Sequence, residues 1–183
     1  MKRKTFISGV LFMTLILSFF TPTANAAQKG EKTFGVHTGY VSRNNSADLG
    51  LYFQYTFSDH FRLQPSADII FRHHDREAFT IDLNAQVPIG FDSDKFSLYP
   101  FAGINFSSWN RHQPIFEFVP DEGEGQIIYE GNKSTRSNNF GVNLGAGFDL
   151  KISSTLKLSI EGGYTFVKRN SGVKVLVGLG YIF

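Results

Sequence analysis

The stretch Leu49-Gly-Leu-Tyr-Phe-Gln-Tyr-Thr-Phe-Ser58 decides how the chain is read. Leu49, Leu51, Phe53, Tyr55 and Phe57 occupy every second position, with Gly50, Tyr52, Gln54, Thr56 and Ser58 between them. A period of two places side chains on one face of a β-strand, whereas a helix needs 3.6. Ser58-Asp59-His60 reads as a turn. Beyond it Phe61, Leu63, Pro65, Ala67, Ile69 and Phe71 form one face, with Arg62, Gln64, Ser66, Asp68 and Arg72 on the other. Two alternating runs joined by a short polar link predict an antiparallel hairpin.

The pattern continues in both directions. Upstream it takes in Phe34, Val36, Thr38 and Tyr40. Downstream come Phe79 to Ile89, the turn Asp92-Ser-Asp-Lys95, and Leu98 to Phe106. Then follow Phe140 to Leu150, Leu156 to Phe166 and Val173 to Phe183. Leu63-Gln-Pro-Ser-Ala-Asp-Ile-Ile-Phe71 and Leu98-Tyr-Pro-Phe-Ala-Gly-Ile-Asn-Phe106 repeat each other almost position by position. The total is eight segments, each of the roughly 9–11 residues that a tilted strand needs to cross a bilayer. Pro65, Pro88 and Pro100 cannot donate to a ladder and are expected near strand ends. The links at 58–60, 92–95 and 151–155 are short. Those near 43–48, 72–77, 107–139 and 167–172 are longer or more polar, an alternation expected of a barrel with both termini on one side.

The first residues have another design. Met1-Lys-Arg-Lys4, an apolar run from Phe6 to Phe20 and Ala24-Asn-Ala26 are the three parts of a cleaved secretory signal. The expected organisation is a signal peptide at 1–26 and one domain at 27–183. Removing the leader takes away three bases and no acid, so the formal charge moves from +2 to −1. The pI of 8.8 therefore belongs largely to the leader and gives no ground for nucleic-acid binding. With 20 Phe, 7 Tyr, 18 Gly and no Cys, the composition suits antiparallel sheet and excludes disulfides and thiolate sites.

A soluble ligand-binding barrel alternates too, but with its apolar face inward. Here the polar face is mostly Gly, Ser, Asn, Gln and Thr with a few charges of both signs, too sparse for a water-facing surface. It suits a narrow, filled lumen, and the large uncharged face suits lipid. Aromatic residues gather toward both ends of the strands. Phe57, Phe61, Phe91, Phe96, Tyr181 and Phe183 fall at one end. Tyr40, Phe71, Phe79, Phe106, Trp109, Phe140, Tyr164 and Phe166 fall at the other, as interfacial girdles do. The reading is an all-β, eight-stranded, antiparallel up-and-down transmembrane barrel.

The eight segments, the Gly-rich stretches Gly141–Leu150 and Gly178-Leu-Gly-Tyr-Ile-Phe183, and the terminal aromatic resemble the small porin-like outer-membrane β-barrel family, of the OmpX and OmpA membrane-domain type. The resemblance implies integral residence in a bacterial outer membrane with both mature termini in the periplasm. Outer-membrane lipids and lipopolysaccharide are then the implied surroundings, and Phe183 the signal read by the barrel-assembly machinery. The family is functionally mixed. It covers adhesion, resistance to host defences, membrane integrity and small pores, with lipid A-modifying enzymes on barrels of similar size.

Among candidate sites, Arg62, Asp68, Arg72, Asp82, Asp149, Lys157, Glu161 and Lys174 are expected as a balanced charge network inside the lumen, with a conducting path as the alternative. His73-His-Asp75 and Glu77 invite a metal reading, but adjacent strand residues face opposite ways. His37, His73, His74 and His112 offer no recognisable serine partner, so no catalytic, metal or cofactor residues are assigned and the chain is expected not to be an enzyme. The segment 107–139 holds two β-prone runs around Asp121-Glu-Gly-Glu-Gly125 and is expected to be a hairpin rising above the membrane. It is the expected surface for an extracellular protein partner. Arg43, Arg76, Arg111, Arg136, Lys168 and Arg169 are expected at the same rim, within reach of lipopolysaccharide phosphates.

Overall fold

A computed structural model describes residues 28–73, 75–90, 95–119, 126–168 and 171–183. The expected leader at 1–26 lies outside them, as do Phe91, His74, Arg169 and the turn at 121–125. The strands are β1 (Lys32–Val41), β2 (Ser46–Ser58), β3 (Phe61–His73) and β4 (Arg76–Gln86, continued by Ile89–Gly90). They are followed by β5 (Phe96–Val119), β6 (Gln126–Lys151), β7 (Leu156–Val167) and β8 (Gly172–Ile182). Each pairs antiparallel with its neighbours in sequence. β1 also pairs β8, with Val36 opposite Leu179, and so closes the barrel. A closed sheet leaves no open edge within the apolar band.

The period of two is realised residue by residue. Along β2, Ser46, Asp48, Gly50, Tyr52, Gln54 and Thr56 are buried while Leu49, Leu51 and Phe57 face out. Leu51, Ile69, Ile104, Val142 and Leu144 are 51%, 55%, 62%, 53% and 58% exposed, a continuous apolar belt that water would not tolerate and lipid requires. The prolines show what a missing donor does. The β4 ladder breaks around Pro88, between Gln86 and Ile89. Pro65 and Pro100 instead stand inside the ladder, opposite Leu83 and Ala146. Toward β2, the recorded pairs pass from Tyr52–Ser66 to Tyr55–Leu63, so pairing lapses on the side where Pro65 has no N–H to give.

Inward-facing glycines make room for large lumen side chains. A Cβ on Gly147 would run into the ring of Tyr99, and one on Gly35 into the ring of Tyr52. The two tyrosines therefore lie flat across the strands that carry those glycines, and the interior can be filled without widening the barrel.

Both chain ends of the barrel lie together: Phe183 donates its N–H to the Lys32 carbonyl at 3.0 Å. The expected contrast in link length between the two ends is corrected. β1 joins β2 through 42–45, and β3 joins β4 across two residues, as tightly as β2 joins β3. The polar residues taken for looser loops continue the strands as inward positions such as Ser46 and Asp48. One connection is different. β5 and β6 run 24 and 26 residues against 10–13 for β1, β2, β3, β7 and β8. The last pairing of β4 with β5 is Arg76–Arg111, and that of β7 with β6 is Val167–Gly141. From Gln113 to Val119, β5 pairs with β6 alone. Those seven residues, at about 3.3 Å each, carry the hairpin roughly 23 Å past the rim. The expected start of the sixth strand at Phe140 therefore moves back to Gln126. A bulge opposite Ile115 and Phe116, where Glu130 is the extra residue, adds local twist.

Candidate functional site

Three regions at successive heights carry the polar chemistry. Near the end that holds the termini, Arg62 is fully buried and donates to Asp149 at 2.7 Å and, through Nε, to Gln86 at 2.6 Å. Its guanidinium stacks over Tyr99 at 4.6 Å from the ring centre. The Tyr99 hydroxyl donates to Glu161 at 2.8 Å, and Gln64 donates to the same carboxylate at 3.1 Å. Lys157 donates to Gln54 and lies 3.5 Å from Asp149. Lys151 closes this end on Glu31 at 2.7 Å. Charges removed from water persist only when paired and hydrogen-bonded, and here each cation has both kinds of partner.

The middle layer is acidic around one cation. The Lys174 ammonium lies 2.8 Å from Asp68, 3.3 Å from Asp48 and 3.6 Å from Asp82. His37 bonds Asp68 and stacks on Tyr52, and Asn143 donates to Asp82 at 2.9 Å. His37, Asp48 and Asp68 bring ligand-type atoms within 4.8 Å of one another, but the Lys174 ammonium already holds the cation's place against both carboxylates. The space left in the lumen is small, with cavities of about 30 Å³ between these layers, room for a few water molecules.

Beside this layer Val41, Ile70, Ala78 and Trp109 form a buried apolar cluster, with Asn105 and Ser107 buried among the neighbouring inward residues. Trp109 also lines a wider cavity of about 650 Å³ together with Arg43, Arg76, Arg111, Arg136 and Lys168. Arg43 stacks its guanidinium over Trp109 at 5.0 Å, and Arg136 is oriented by a 2.9 Å bond to Ser108. Burial, helped by the charge of Arg76, pulls the Arg43 pKa down to about 10. The described acids at this end are engaged elsewhere. Asp75 pairs with Arg72 at 3.0 Å and Glu77 with His112 at 3.3 Å. The His112 hydrogen bond holds the Glu77 carboxyl below its ordinary range.

Seven of the eight expected lumen charges lie in the lumen: Arg62, Asp68, Asp82, Asp149, Lys157, Glu161 and Lys174. Arg72 does not. The ladder is irregular between Ile70 and His73, and the side chain turns out to Asp75, half exposed. Trp109 leaves the expected girdle for the interior, because it shares its phase with Asn105 and Ser107 rather than with Phe106. His37, weighed as a rim histidine, sits deep in the lumen for the same reason. The His73, Asp75 and Glu77 group disperses: His73 bonds the Asn44 carbonyl, and the two acids pair as above. The register also sets Ser134 directly across from His112, a juxtaposition that linear spacing hides. Asp48, Gln54, Gln64, Gln86 and Tyr99 were missed as parts of the network. Their even spacing on the inward face was the available signal.

The family model for the outer membrane protein β-barrel domain matches residues 12–183. The chain belongs to that family. It is an integral outer-membrane barrel, and solved barrels share its architecture. The N-terminal β-barrel domain of Pseudomonas aeruginosa OprF superposes with a TM-score of 0.63 at 15% identity, covering 86% of this chain and 100% of that one. Neisserial surface protein A gives 0.58 at 11% identity, with 84% and 95% covered. Ail, the attachment invasion locus protein of Yersinia pestis, gives 0.56 at 16% identity, with 85% and 100% covered. At these identities the likeness is one of fold. Among curated proteins no sequence match is found.

Proposed function

We propose that this outer-membrane barrel is a non-enzymatic surface protein that engages an extracellular protein through the β5–β6 hairpin. The barrel spans the membrane with both termini in the periplasm, so the hairpin stands outside the cell, above the lipid and lipopolysaccharide that surround the belt. Phe183, 60% exposed on the outer face behind Tyr181, is then available to the assembly machinery in the periplasm. The observation that carries the reading is the hairpin itself, two long strands paired only with each other beyond the rim. Such strands keep free backbone edges, and strand addition is the mode by which edges recognise extended partners. A surface-attachment role of the kind named for Ail fits such a device. The filled lumen points the same way, since voids of about 30 Å³ offer a solute no passage.

A binding screen against extracellular proteins tests the reading, with the wild type beside a variant lacking 112–134. A partner retained by the wild type and lost by the deletion is the expected result. Partners held equally by both would overturn it. A second reading, a lipid-modifying enzyme, has one observation behind it: the row Glu77, His112 and Ser134. The row is open to solvent, and no hydrogen bond joins Ser134 to His112 among the described residues. Hydrolysis of lipid A by the wild type, lost in His112→Ala, would establish that reading.

A further inference from the structure

We propose that the mouth of the barrel is a separate binding site for a soluble anionic saccharide, a sugar chain bearing sulfate or phosphate esters. Three observations carry it. The first is convergence. Arg43, Arg76, Arg111, Arg136 and Lys168 come from five different connections or strands to line one cavity of about 650 Å³, and no acid is among its described lining residues. A concave site walled by one sign of charge concentrates ions of the other sign, and guanidinium groups match the flat, two-oxygen face of a sulfate or phosphate ester.

The second observation is that the cavity narrows inward. Of the buried apolar cluster Trp109 lines it, and the next space inward falls to about 30 Å³ between Val41, Ile70, Trp109, Asp82 and Lys174. There the charge reverses, with Asp48, Asp68 and Asp82 set around the ammonium of Lys174. An anion drawn into the mouth meets this narrowing and then carboxylates, so the basic residues hold a ligand and do not start a conduction path.

The third observation selects the source of the anion. Trp109, with Arg43 stacked on it, lies on the inward face of its strand and lines the cavity. Tyr40, Phe71, Phe79 and Phe140 are exposed on the outer face of the wall, so phosphates of surrounding lipids would meet that face and not the cavity. A soluble chain entering from above reaches the cations; a headgroup in the plane of the membrane does not.

The test is isothermal titration of the detergent-purified barrel with a dextran sulfate oligosaccharide, and with uncharged dextran of the same length. The sulfated probe is expected to bind, with affinity falling as salt rises because condensed counterions are released. Uncharged dextran is expected not to bind. The Arg76→Gln/Arg111→Gln/Lys168→Gln variant should weaken binding about 100-fold through loss of three charge-assisted contacts. Arg76→Lys/Arg111→Lys should keep most of it. The gel shift between unboiled and boiled samples confirms that each variant is folded. Equal affinity for the two dextrans, or undiminished affinity in the triple glutamine variant, would overturn the site. Repeating the titration in nanodiscs with and without lipopolysaccharide separates the sources. Unchanged affinity supports a soluble ligand, and loss of binding when lipopolysaccharide is present would overturn that choice. A variant with 113–133 replaced by Asn-Gly keeps all five cations and the pairing of Arg111 with Thr135, so it should still bind dextran sulfate. Failure of the hairpin role and failure of this site are thus read independently.

Discussion

The lumen and the hairpin are built from one alternating strand pattern and reach opposite ends with it. In the lumen every inward position is spent on packing. Arg62, Tyr99, Lys157, Gln54, Gln64 and Gln86 are all almost wholly buried, and the carboxylates among them are shared between cations and amides. In the hairpin, the same β5 and β6 leave their neighbours at Arg111 and Gly141 and continue with only each other. Residues 116–132 also carry Glu117, Asp121, Glu122, Glu124 and Glu130 and no base, whereas the mouth below holds five bases. The difference teaches where this barrel keeps its freedom. Most polar groups enclosed by the eight strands are bound to one another, although single atoms such as Arg62 Nη2 and Asp149 Oδ1 have no hydrogen-bond partner, so they are committed to stability. Polar groups carried past the rim are under no such demand and remain available to a partner.

The largest effect should come from breaking the enclosed side of that comparison. Arg62→Leu leaves Asp149 buried with only Lys157 beside it at 3.5 Å, and should cost about 3–5 kcal/mol in urea unfolding followed by gel shift. Replacing both partners, Arg62→Met with Asp149→Leu, should recover only part of the loss, because the buried Lys157 is then left with Gln54 and, at 3.9 Å, Glu31. A single replacement without cost would mean that the lumen is wet and the contrast with the hairpin false.

Gly147→Val tests packing rather than charge. Its Cβ would enter the Tyr99 ring, which must then abandon Glu161, and overpacking of this kind costs about 1–3 kcal/mol. The same unfolding assay reads it, and Gly147→Ala should fall below it.

Deleting 112–134 tests the other region. Beyond the rim the described hairpin residues pair only with one another, and at the rim the deletion removes the His112 bonds to Glu77 and Asp75, so the barrel should lose no more than about 1–2 kcal/mol. A large destabilisation would make the hairpin part of the fold and not an appendage.

The smallest effect is expected at the boundary, from Glu77→Gln. The folded state lowers the Glu77 pKa, so the wild type's extra stability is full above the ordinary carboxylate range. It is lost as pH falls through the lowered value. The pair is exposed, so the difference between wild type and variant should be a few tenths of a kcal/mol at neutral pH. It should vanish in acid, which paired unfolding curves at two pH values would show.

The fold was legible because a period of two is a direct image of a barrel wall. Leu49, Leu51 and Phe57 face outward as the alternation requires, and Phe183 pairs back onto Lys32 where closure needs it. What linear reading lost came from phase and register. Trp109 looked like a girdle residue from its height along the strand, but parity puts it inside. Arg72 kept its parity on paper and lost it to the irregular ladder after Ile70. The mouth could not be seen at all as a single site. Its cations are scattered from Arg43 to Lys168, and only closure of the cylinder brings them around one cavity. The Ser134–His112 pair was hidden likewise, because cross-strand register is set by the hairpin turn and not by spacing in sequence.

The claim beneath all of this is that the barrel is sealed, so that its work is done outside. Single-channel recording in planar bilayers tests it most directly, using the purified wild-type barrel at symmetric high salt. The expected trace is flat, with no unitary steps, because the lumen holds a buried apolar cluster, a paired charge network and, among the described residues, cavities of about 30 Å³ between them. Steady, discrete conductance steps of reproducible size would contradict it and return the lumen, in place of the hairpin, to the centre of the protein's function.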